Sequence, residues 1–253
     1  MYIQITTVCG MTCKHCIFAC GTDLIRAEHM PRHTFKRCLA LANNLGSSVS
    51  LGGGEPTDHP KFWEYLGLSL GADVEHVWLA TNGMNTEIAV ALAGLAQGSS
   101  KFGVALSQDE WHDPIDPMVR KVFEDKGCEI RTVNRLADHG SAYENGIGDE
   151  CNCLCGGALV RPNGNLYPCA CSNAPLLCNV NDATTEKVEA ILSYLNRGEC
   201  VQEFQTVAEV ARQDDDPDIE TLDDLDPEDY DITIWEELER LCGHPLQVSD
   251  RLY

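Results

Sequence analysis

YIQITTVCGMTCKHC occupies residues 2–16 and joins a β-rich run to a loop that holds three cysteines. Aromatic and β-branched residues occupy six of the seven positions 2–8, which is typical of a strand. Cys9, Cys13 and Cys16 follow with the spacing C-x3-C-x2-C. The chain therefore places three thiols within eight residues, directly after its first predicted strand.

Further β-rich runs alternate with helical stretches as far as residue 136. Prolines at 31 and 60 predict helix starts, and Gly127 predicts a helix end. Five such alternations indicate a parallel sheet with right-handed crossovers, which curls into a full or partial barrel or stays open. We predict the α/β class, as a partial (β/α) barrel of parallel strands with a small cysteine-rich C-terminal extension. The predicted strands are 2–8, 48–53, 76–83, 101–107 and 128–136, and the predicted helices are 32–45, 60–70, 86–97 and 117–127.

The composition changes twice after this pattern ends, so we divide the chain into three regions. Residues 1–150 form the predicted barrel, 151–200 a cysteine-rich region, and 201–253 an acidic helical tail. Pro162-Asn163-Gly164 predicts a hairpin turn. The remaining predicted elements are helices at 185–196, 201–212 and 233–242 and a solvated acidic linker at 214–231.

Charge and cysteine content limit the classes of partner. The 253 residues carry a formal net charge of −22, which repels polyanions and disfavours binding to nucleic acid or to an anionic membrane. The sequence starts without a basic segment followed by a long apolar run, and no window is apolar enough to span a membrane. Fourteen cysteines in such a chain indicate metal binding or catalysis in a reducing compartment, so we expect a cytoplasmic protein.

Three cysteines in one short loop indicate a metal site. Zinc sites usually gather four ligands, as two pairs from separate places in the chain. Iron–sulfur clusters accept several cysteines from one tight loop. Three thiolates can hold three corners of a [4Fe–4S] cube and leave the fourth iron open to a small-molecule chelator. Ordinary buried thiols and a zinc site are the alternative interpretations.

The C-x3-C-x2-C loop after the first strand resembles the signature of the radical S-adenosylmethionine (radical SAM) family. The resemblance implies that the amine and carboxylate of S-adenosylmethionine (SAM) chelate the open iron. It also implies that an electron from the cluster cleaves SAM to a 5′-deoxyadenosyl radical, which takes a hydrogen atom from the substrate. Family members usually have an aromatic residue directly before the third cysteine. Here that residue is His15, whose imidazole we expect to pack against the adenine.

Residues at the ends of the next three predicted strands extend the resemblance. The stretch LGGGEPT (51–57) matches the family's Gly-Gly-Glu-Pro turn at Gly53, Gly54, Glu55 and Pro56, which implies binding of the methionyl amine. A plain turn is the alternative.

Asn82 and Ser107 end the third and fourth strands, and similar residues in the family bind the cofactor. Ligands of parallel barrels lie at the carboxyl ends of the strands, which suits both positions. A capping or turn role is the alternative for each. Asp109 and His112 follow closely, and either handle a proton or have an ordinary surface role.

A second group of cysteines lies in residues 151–178. Its arrangement around a predicted hairpin resembles the SPASM and twitch extensions of radical SAM enzymes, in a shortened, twitch-like form. The resemblance implies one auxiliary [4Fe–4S] cluster, with zinc as the alternative. Cys20, Cys38 and Cys128 are predicted core residues. The candidate ligands of the auxiliary metal are Cys151, Cys153, Cys155, Cys169, Cys171 and Cys178.

The expected function is that of a radical SAM enzyme that oxidises or rearranges a small molecule of the sugar, amino-acid or nucleoside type. Peptide-modifying relatives often carry a domain before the first strand, whereas this sequence begins at that strand, which favours the small molecule. The alternatives are a maturase of a peptide or protein side chain, an enzyme that modifies a nucleobase, and a non-enzymatic iron–sulfur or zinc module. The expected partners are the substrate and a reducing protein such as a flavodoxin or ferredoxin.

Overall fold

A parallel sheet with crossover helices forms most of the computed structural model, which describes residues 1–23, 25, 27–133, 136–148, 157–171 and 174–195. The strands of the repeating unit are β1 (Tyr2–Thr6), β2 (Val49–Gly53), β3 (Val77–Thr81), β4 (Phe102–Ser107) and β5 (Glu129–Arg131). The helices are α1 (Arg32–Asn44), α2 (Phe62–Gly71), α3 (Thr86–Gln97), α4 (Pro117–Asp125) and the short α5 (Ser141–Glu144). The second part contains β6 (Leu159–Val160), β7 (Asn165–Tyr167), β8 (Cys178–Asn179) and α6 (Thr185–Leu195).

The eight described strands form one sheet in the order β5-β4-β3-β2-β1-β6-β7-β8. Strands β1 to β5 and the β1–β6 pair are parallel, whereas β6, β7 and β8 pair antiparallel. β1 is therefore paired on both sides, with Ile3 opposite Leu51 of β2 and opposite Val160 of β6. The two ends of this strand order do not pair, so the sheet is open. The predicted α/β partial barrel is confirmed.

Local signals explain where the helices begin and end. The Asp116 side chain accepts a hydrogen bond from the amide of Met118, and Pro117 takes the first helical position of α4. Gly127, which follows the C-cap residue Lys126 of this helix, has a φ of 68°, a left-handed conformation that favours glycine. Asn85 caps α3 in the same way through the amide of Ile88.

The core lies between the sheet and its helices. Ile3 and Leu51 of neighbouring strands are almost fully buried, and each such side chain contributes roughly 1.5–3 kcal/mol by burial. Phe35 of α1 stacks on Tyr65 of α2 with ring centroids 4.1 Å apart. This pair fixes the two helices against each other on one face of the sheet.

Several predicted elements are shorter than expected, and hydrogen bonds account for two of the shifted ends. The strand predicted at 128–136 ends at Arg131, because the amide of Val133 donates to the Asp109 side chain instead of to a neighbouring strand. The helix predicted to start at Pro60 begins at Phe62, after a turn in which His59 accepts the amide of Lys61. The hairpin is confirmed, with Gly164 at a φ of 89° between β6 and β7.

Several predictions on the C-terminal part lie outside the described residues. These are the helices at 201–212 and 233–242 and the acidic linker at 214–231. The division into regions 1–150, 151–200 and 201–253 remains a prediction. Within the described ranges, no helix combines the length and the apolar character needed to cross a membrane.

Candidate functional site

One cavity of about 150 Å³ collects the predicted site residues of the barrel region at the carboxyl ends of the strands. Its walls contain the three cysteines of the first loop, Cys9, Cys13 and Cys16. They also contain all seven predicted cofactor residues, namely His15, Gly53, Gly54, Glu55, Pro56, Asn82 and Ser107. Residues separated by almost one hundred positions in sequence therefore face one space. Their individual roles remain predictions.

Backbone and side-chain donors surround two sulfurs of the cysteine loop. Cys9 Sγ accepts from the amide of Met11 at 3.4 Å and lies 3.6 Å from Asn82 Nδ2. Cys16 Sγ accepts from the amide of Cys20 at 3.4 Å. Such donors stabilise negative charge on sulfur and therefore suit thiolate ligands of iron.

Burial of the loop also affects the protonation of its cysteine thiols. Desolvation raises the pKa of Cys9 to about 12 and that of Cys13 to about 11. Metal ligation requires the thiolate, so we expect both thiols to lose their protons when a metal binds. With three sulfurs on one cavity and donors directed at two of them, the residues fit a [4Fe–4S] cluster held at three corners.

The glycines of the Leu51–Thr57 turn are required by close packing against the cysteine loop. A Cβ on Gly54 would lie 2.3 Å from the carbonyl oxygen of Val8 and 2.8 Å from Cys9 Cβ. A Cβ on Gly53 would lie 2.8 Å from the carbonyl oxygen of Thr6. The turn therefore positions the first cysteine by direct backbone contact, in addition to lining the cavity.

Gly52 is a third glycine of this kind, which the sequence motif did not identify. A Cβ there would lie 1.8 Å from the hydroxyl oxygen of Tyr2. Tyr2 lines the same cavity, so its ring occupies the space that the glycine leaves free. A run of three glycines was the only signal in the sequence for this contact.

Glu55 presents a buried, hydrogen-bonded carboxylate. Its Oε1 accepts from the hydroxyls of Thr57 and Thr81 at 2.7 and 2.9 Å, and its Oε2 accepts from the amide of Asn82 at 2.7 Å. Burial raises the pKa of Glu55 in spite of these bonds. A cation placed beside it would favour the ionised form, so the group suits the ammonium of an amino-acid ligand.

His15, Asp109 and His112 form a cluster beside the cavity, and the two histidines line its wall. Of the three, only His15 is a predicted cofactor residue. His112 Nδ1 lies 2.7 Å from Asp109 Oδ1, and both side chains are about nine-tenths buried. The imidazoles of His15 and His112 meet edge to face at 4.7 Å. The buried Nδ1 of His15 has no hydrogen-bond partner among the described residues.

The Asp109 carboxylate orients the His112 ring. Burial alone would raise the pKa of Asp109, but hydrogen bonds from Val133, His112 and Trp111 bring it below its ordinary value. An ionised carboxylate only accepts, so His112 Nδ1 carries a proton and Nε2 remains as the acceptor of the neutral ring. Sequence reasoning left a surface role open for this pair, but both side chains are buried.

Asp109→Asn tests this ionised state through the pH dependence of stability. A depressed folded-state pKa adds stability above the unfolded pKa of about 3.9, and this contribution is lost as the pH falls through the folded pKa. We expect the variant to have a free energy of unfolding about 1–3 kcal/mol lower at neutral pH, with the difference shrinking in acid. Urea unfolding of both proteins across this pH range measures it. Asp125→Asn, at an exposed position of α4, is the control, and a difference independent of pH would contradict the assignment.

The second group of cysteines is divided between two places. Cys169 and Cys171 are buried in a small apolar cluster with Phe18 and Cys20, and Cys16 packs against that cluster. Cys178, in β8, instead belongs to the main core. Cys151, Cys153 and Cys155 lie outside the described residues. Of the three predicted ligands that the structure describes, it therefore groups Cys169 and Cys171 and places both near the first loop.

The predicted core thiols have different environments. Cys38 is fully buried in the main core, and Cys128 packs against it while half-buried. Cys20 is buried too, but it lies beside Cys16.

Fold and site together define the class of protein: an open parallel sheet with a candidate iron–sulfur site at the carboxyl ends of its strands. The model of the radical SAM superfamily matches residues 3–142, which include the cysteine loop and the glycine turn. The chain therefore belongs to the radical SAM superfamily, whose members are enzymes that use a [4Fe–4S] cluster and SAM. The predictions of the family and of these two cofactors are confirmed, whereas the twitch-like region and its auxiliary cluster remain predictions.

Individual relatives match parts of the chain. The mycofactocin maturase MftC of Mycobacterium ulcerans (strain Agy99) is 28% identical over 145 residues, which are 55% of this chain and 36% of MftC. The chain thus spans about a third of that relative's length. The structure of BtrN in complex with AdoMet and 2-DOIA has a TM-score of 0.54 at 16% identity, over 74% of this chain and 80% of BtrN. This likeness shows the fold alone. SuiB of Streptococcus suis has a TM-score of 0.37 at 14% identity, over 66% of this chain and 59% of SuiB.

Proposed function

We propose that the protein removes a hydrogen atom from a small molecule of the sugar, amino-acid or nucleoside type and oxidises or rearranges it with the help of an auxiliary [4Fe–4S] cluster. The observation that carries this proposal is the shared cavity, which is lined by the three cysteines, the Gly53–Pro56 turn and His112, whose ring Asp109 holds from behind. When bound, the reduced cluster and SAM supply the 5′-deoxyadenosyl radical that abstracts the hydrogen atom.

Different residues around the cavity are proposed to bind the cluster and the parts of SAM. The cysteine loop holds the cluster, and the buried carboxylate of Glu55 receives the ammonium group of SAM. Asn82 connects these two parts, because its backbone amide donates to Glu55 and its side chain donates toward Cys9 Sγ. His15 and Ser107 line the remaining wall, where we place the adenosine of SAM.

The Asp109–His112 pair favours oxidation of the substrate over its rearrangement. When a carbon that bears a hydroxyl or amine loses a hydrogen atom and then an electron, its C–O or C–N bond becomes double and one proton is released. His112 Nε2 is an acceptor for that proton, because Asp109 keeps the other ring nitrogen protonated. The electron requires an acceptor, and we propose that the oxidised auxiliary cluster accepts it.

Similarity to MftC favours a second candidate, a maturase of a peptide or protein side chain. The same hydrogen abstraction would then act on a residue of a polypeptide. Incubation of the reconstituted enzyme with peptides encoded beside its gene distinguishes the two candidates. A mass change in such a peptide supports the maturase, and a product from a small metabolite supports the first candidate.

The proposed activity is tested by anaerobic reconstitution with iron and sulfide, followed by reduction in the presence of SAM. We expect 5′-deoxyadenosine and methionine, and their absence from an iron-loaded sample would overturn the proposal. About eight iron ions per chain, rather than about four, indicate the auxiliary cluster. In the cell we expect the electron to come from a flavodoxin or ferredoxin, and replacing dithionite by either protein tests this partner.

Glu55→Gln tests the ammonium site. The amide keeps the size of the side chain but removes its negative charge, so we expect SAM to bind about ten- to a hundredfold more weakly. Equilibrium binding of SAM to the iron-loaded protein measures the effect. Glu64→Gln, in a surface pair with Arg32, is the matched control and should not change the affinity. An unchanged affinity in Glu55→Gln would remove Glu55 from the SAM site.

A further inference from the structure

Arg131, the last residue of β5, lines the cavity but has no role in the proposed function. It lies opposite Ser107 of β4 in the strand register, so both residues are at the carboxyl ends of their strands. Among the described residues that line the cavity, Arg131 is the only lysine or arginine. An arginine keeps its charge at any physiological pH, so this side chain gives the cavity wall one permanent positive charge.

The indole ring of Trp78 supports the guanidinium of Arg131. Arg131 Cζ lies 5.2 Å from the centroid of the Trp78 ring, which is within the range of a cation–π contact. Trp78 is in β3 and Arg131 in β5, so the contact crosses the intervening strand β4. The β4 residue opposite Trp78 is Gly103, where an added Cβ would lie 3.2 Å from Trp78 Cδ1. The ring therefore packs closely over β4 and restricts the positions that the guanidinium takes.

The guanidinium of Arg131 has no partner of opposite charge. It forms no ion pair and no side-chain hydrogen bond with a residue that the structure describes. Two other arginines are paired, since Arg32 lies beside Glu64 and Arg120 beside Glu124. Arg131 is also exposed, so a ligand can reach it from solvent. Its N–H donors are therefore available to a molecule that enters the cavity.

SAM does not supply the missing negative charge. We place its ammonium group beside Glu55, and its amine and carboxylate chelate the open iron. The adenosine part, which we place beside Ser107, carries no negative charge. The formal net charge of −22 repels free anions from the protein, so an anionic molecule needs a local positive charge in order to bind. A substrate with a negative group would have its partner in Arg131.

Hydrogen bonds hold Arg131 on the same side of the cavity as the proposed proton acceptor. The amide of Gln108 donates to the carbonyl oxygen of Arg131 at 3.0 Å, and the amide of Val133 donates to Asp109 Oδ2 at 2.9 Å. Asp109 Oδ1 in turn lies 2.7 Å from His112 Nδ1. The end of β5 and the loop after β4 are thus tied together, and both Arg131 and His112 line the cavity.

We propose that Arg131, stacked on Trp78, binds an oxyanion of the substrate, a carboxylate or a phosphate, and thereby selects an anionic small molecule. This inference rests on the proposed function and names the class of its substrate. The planar guanidinium presents two parallel N–H donors to such a group, which fixes the orientation of the substrate as well as adding affinity. A neutral sugar or nucleoside leaves the guanidinium without a partner, so we expect it to be a poor substrate.

Inorganic phosphate and acetate are the probes for the two kinds of oxyanion. Each is titrated calorimetrically into the iron-loaded, SAM-bound enzyme at constant ionic strength. We expect Arg131→Gln to bind at least one probe about ten- to a hundredfold more weakly, and the probe that loses more affinity identifies the group. The affinity for SAM should stay unchanged. Lys121→Gln, which removes an exposed positive charge from α4, is the matched control and should bind both probes as the wild type does.

Two further variants separate the shape of the guanidinium from its charge and its support. Arg131→Lys keeps the positive charge but loses the two parallel donors, so we expect an affinity between those of the wild type and Arg131→Gln. Trp78→Leu keeps the guanidinium but removes the ring beneath it, and we expect binding about two- to fivefold weaker. Unchanged binding in Trp78→Leu would contradict the role of the ring.

Two outcomes would overturn the proposal. If the wild type bound neither probe better than Arg131→Gln, the cavity would have no oxyanion site at this residue. If Arg131→Gln weakened the binding of SAM instead of the probes, the guanidinium would belong to the SAM site. Failure of the proposed function is distinguishable from both, since it would appear as no 5′-deoxyadenosine from the wild-type enzyme.

Discussion

We expect Cys9→Ala/Cys13→Ala/Cys16→Ala to abolish the formation of 5′-deoxyadenosine, by at least about a thousandfold, because the cluster that would supply the radical loses its proposed ligands. The three sulfurs lie on one cavity with the Glu55 carboxylate, and none of the other described cysteines lines it. We expect the iron content to fall by about four ions per chain, which is one cluster. Liquid chromatography of the quenched reaction and an iron assay measure the two effects.

The matched control for this variant is the pair Cys38→Ala/Cys128→Ala. Both thiols contact the main core, away from the cavity. We expect this control to lose some stability while it keeps its iron and its activity. Activity that survived the triple change would show that these cysteines do not hold the SAM-binding cluster, and an iron content unchanged by it would show the same.

Gly54→Ala has the second large effect, because the added methyl group meets backbone. The nearest atom is the carbonyl oxygen of Val8 at 2.3 Å, and Cys9 Cβ lies at 2.8 Å. Neither can rotate away, so the turn and the cysteine loop must move apart. We expect a loss of about 3 kcal/mol in the free energy of unfolding and weaker iron loading. Urea unfolding and the iron assay measure the two effects.

Gly67→Ala is the control for that substitution. Gly67 lies in α2, and a Cβ there meets no atom within 4 Å. Alanine is the better helix former, so we expect a gain of about 0.5–1 kcal/mol and unchanged iron loading. If Gly54→Ala bound iron as the wild type does, the close contact between the turn and Cys9 would not matter for the cluster.

Features set by short stretches of sequence were predicted well. The alternation of strands and helices and the turn at Gly164 follow from local patterns, and the structure has them. The end of β5 at Arg131 could not be predicted in this way, because Asp109 binds the next amide from another part of the chain. Strand ends depend on such distant partners, which a local pattern does not contain.

In the site, too, the local motifs could be predicted from the sequence, whereas contacts between distant residues could not. The cysteine loop and the Gly53–Pro56 turn were identified from their motifs, and their meeting on one cavity agrees with the rule that parallel strands end together. The contact between His15 and His112 was missed, since ninety-seven positions separate them and neither forms a motif with the other. Cys20 is buried as predicted, but its contact with Gln4 could not be predicted, because only tertiary structure brings Gln4 and Arg161 together beside it.

Pairing of the first strand on both sides restricts how this protein can be re-engineered. The hairpin contributes backbone hydrogen bonds to β1 through β6, and it contributes the guanidinium that holds Gln4. An accessory module from another enzyme could therefore not be grafted at residue 157 as an independent cassette. A working chimaera would need a new strand to pair with β1 in place of β6. It would also need a new hydrogen-bond donor for the Gln4 side chain in place of Arg161.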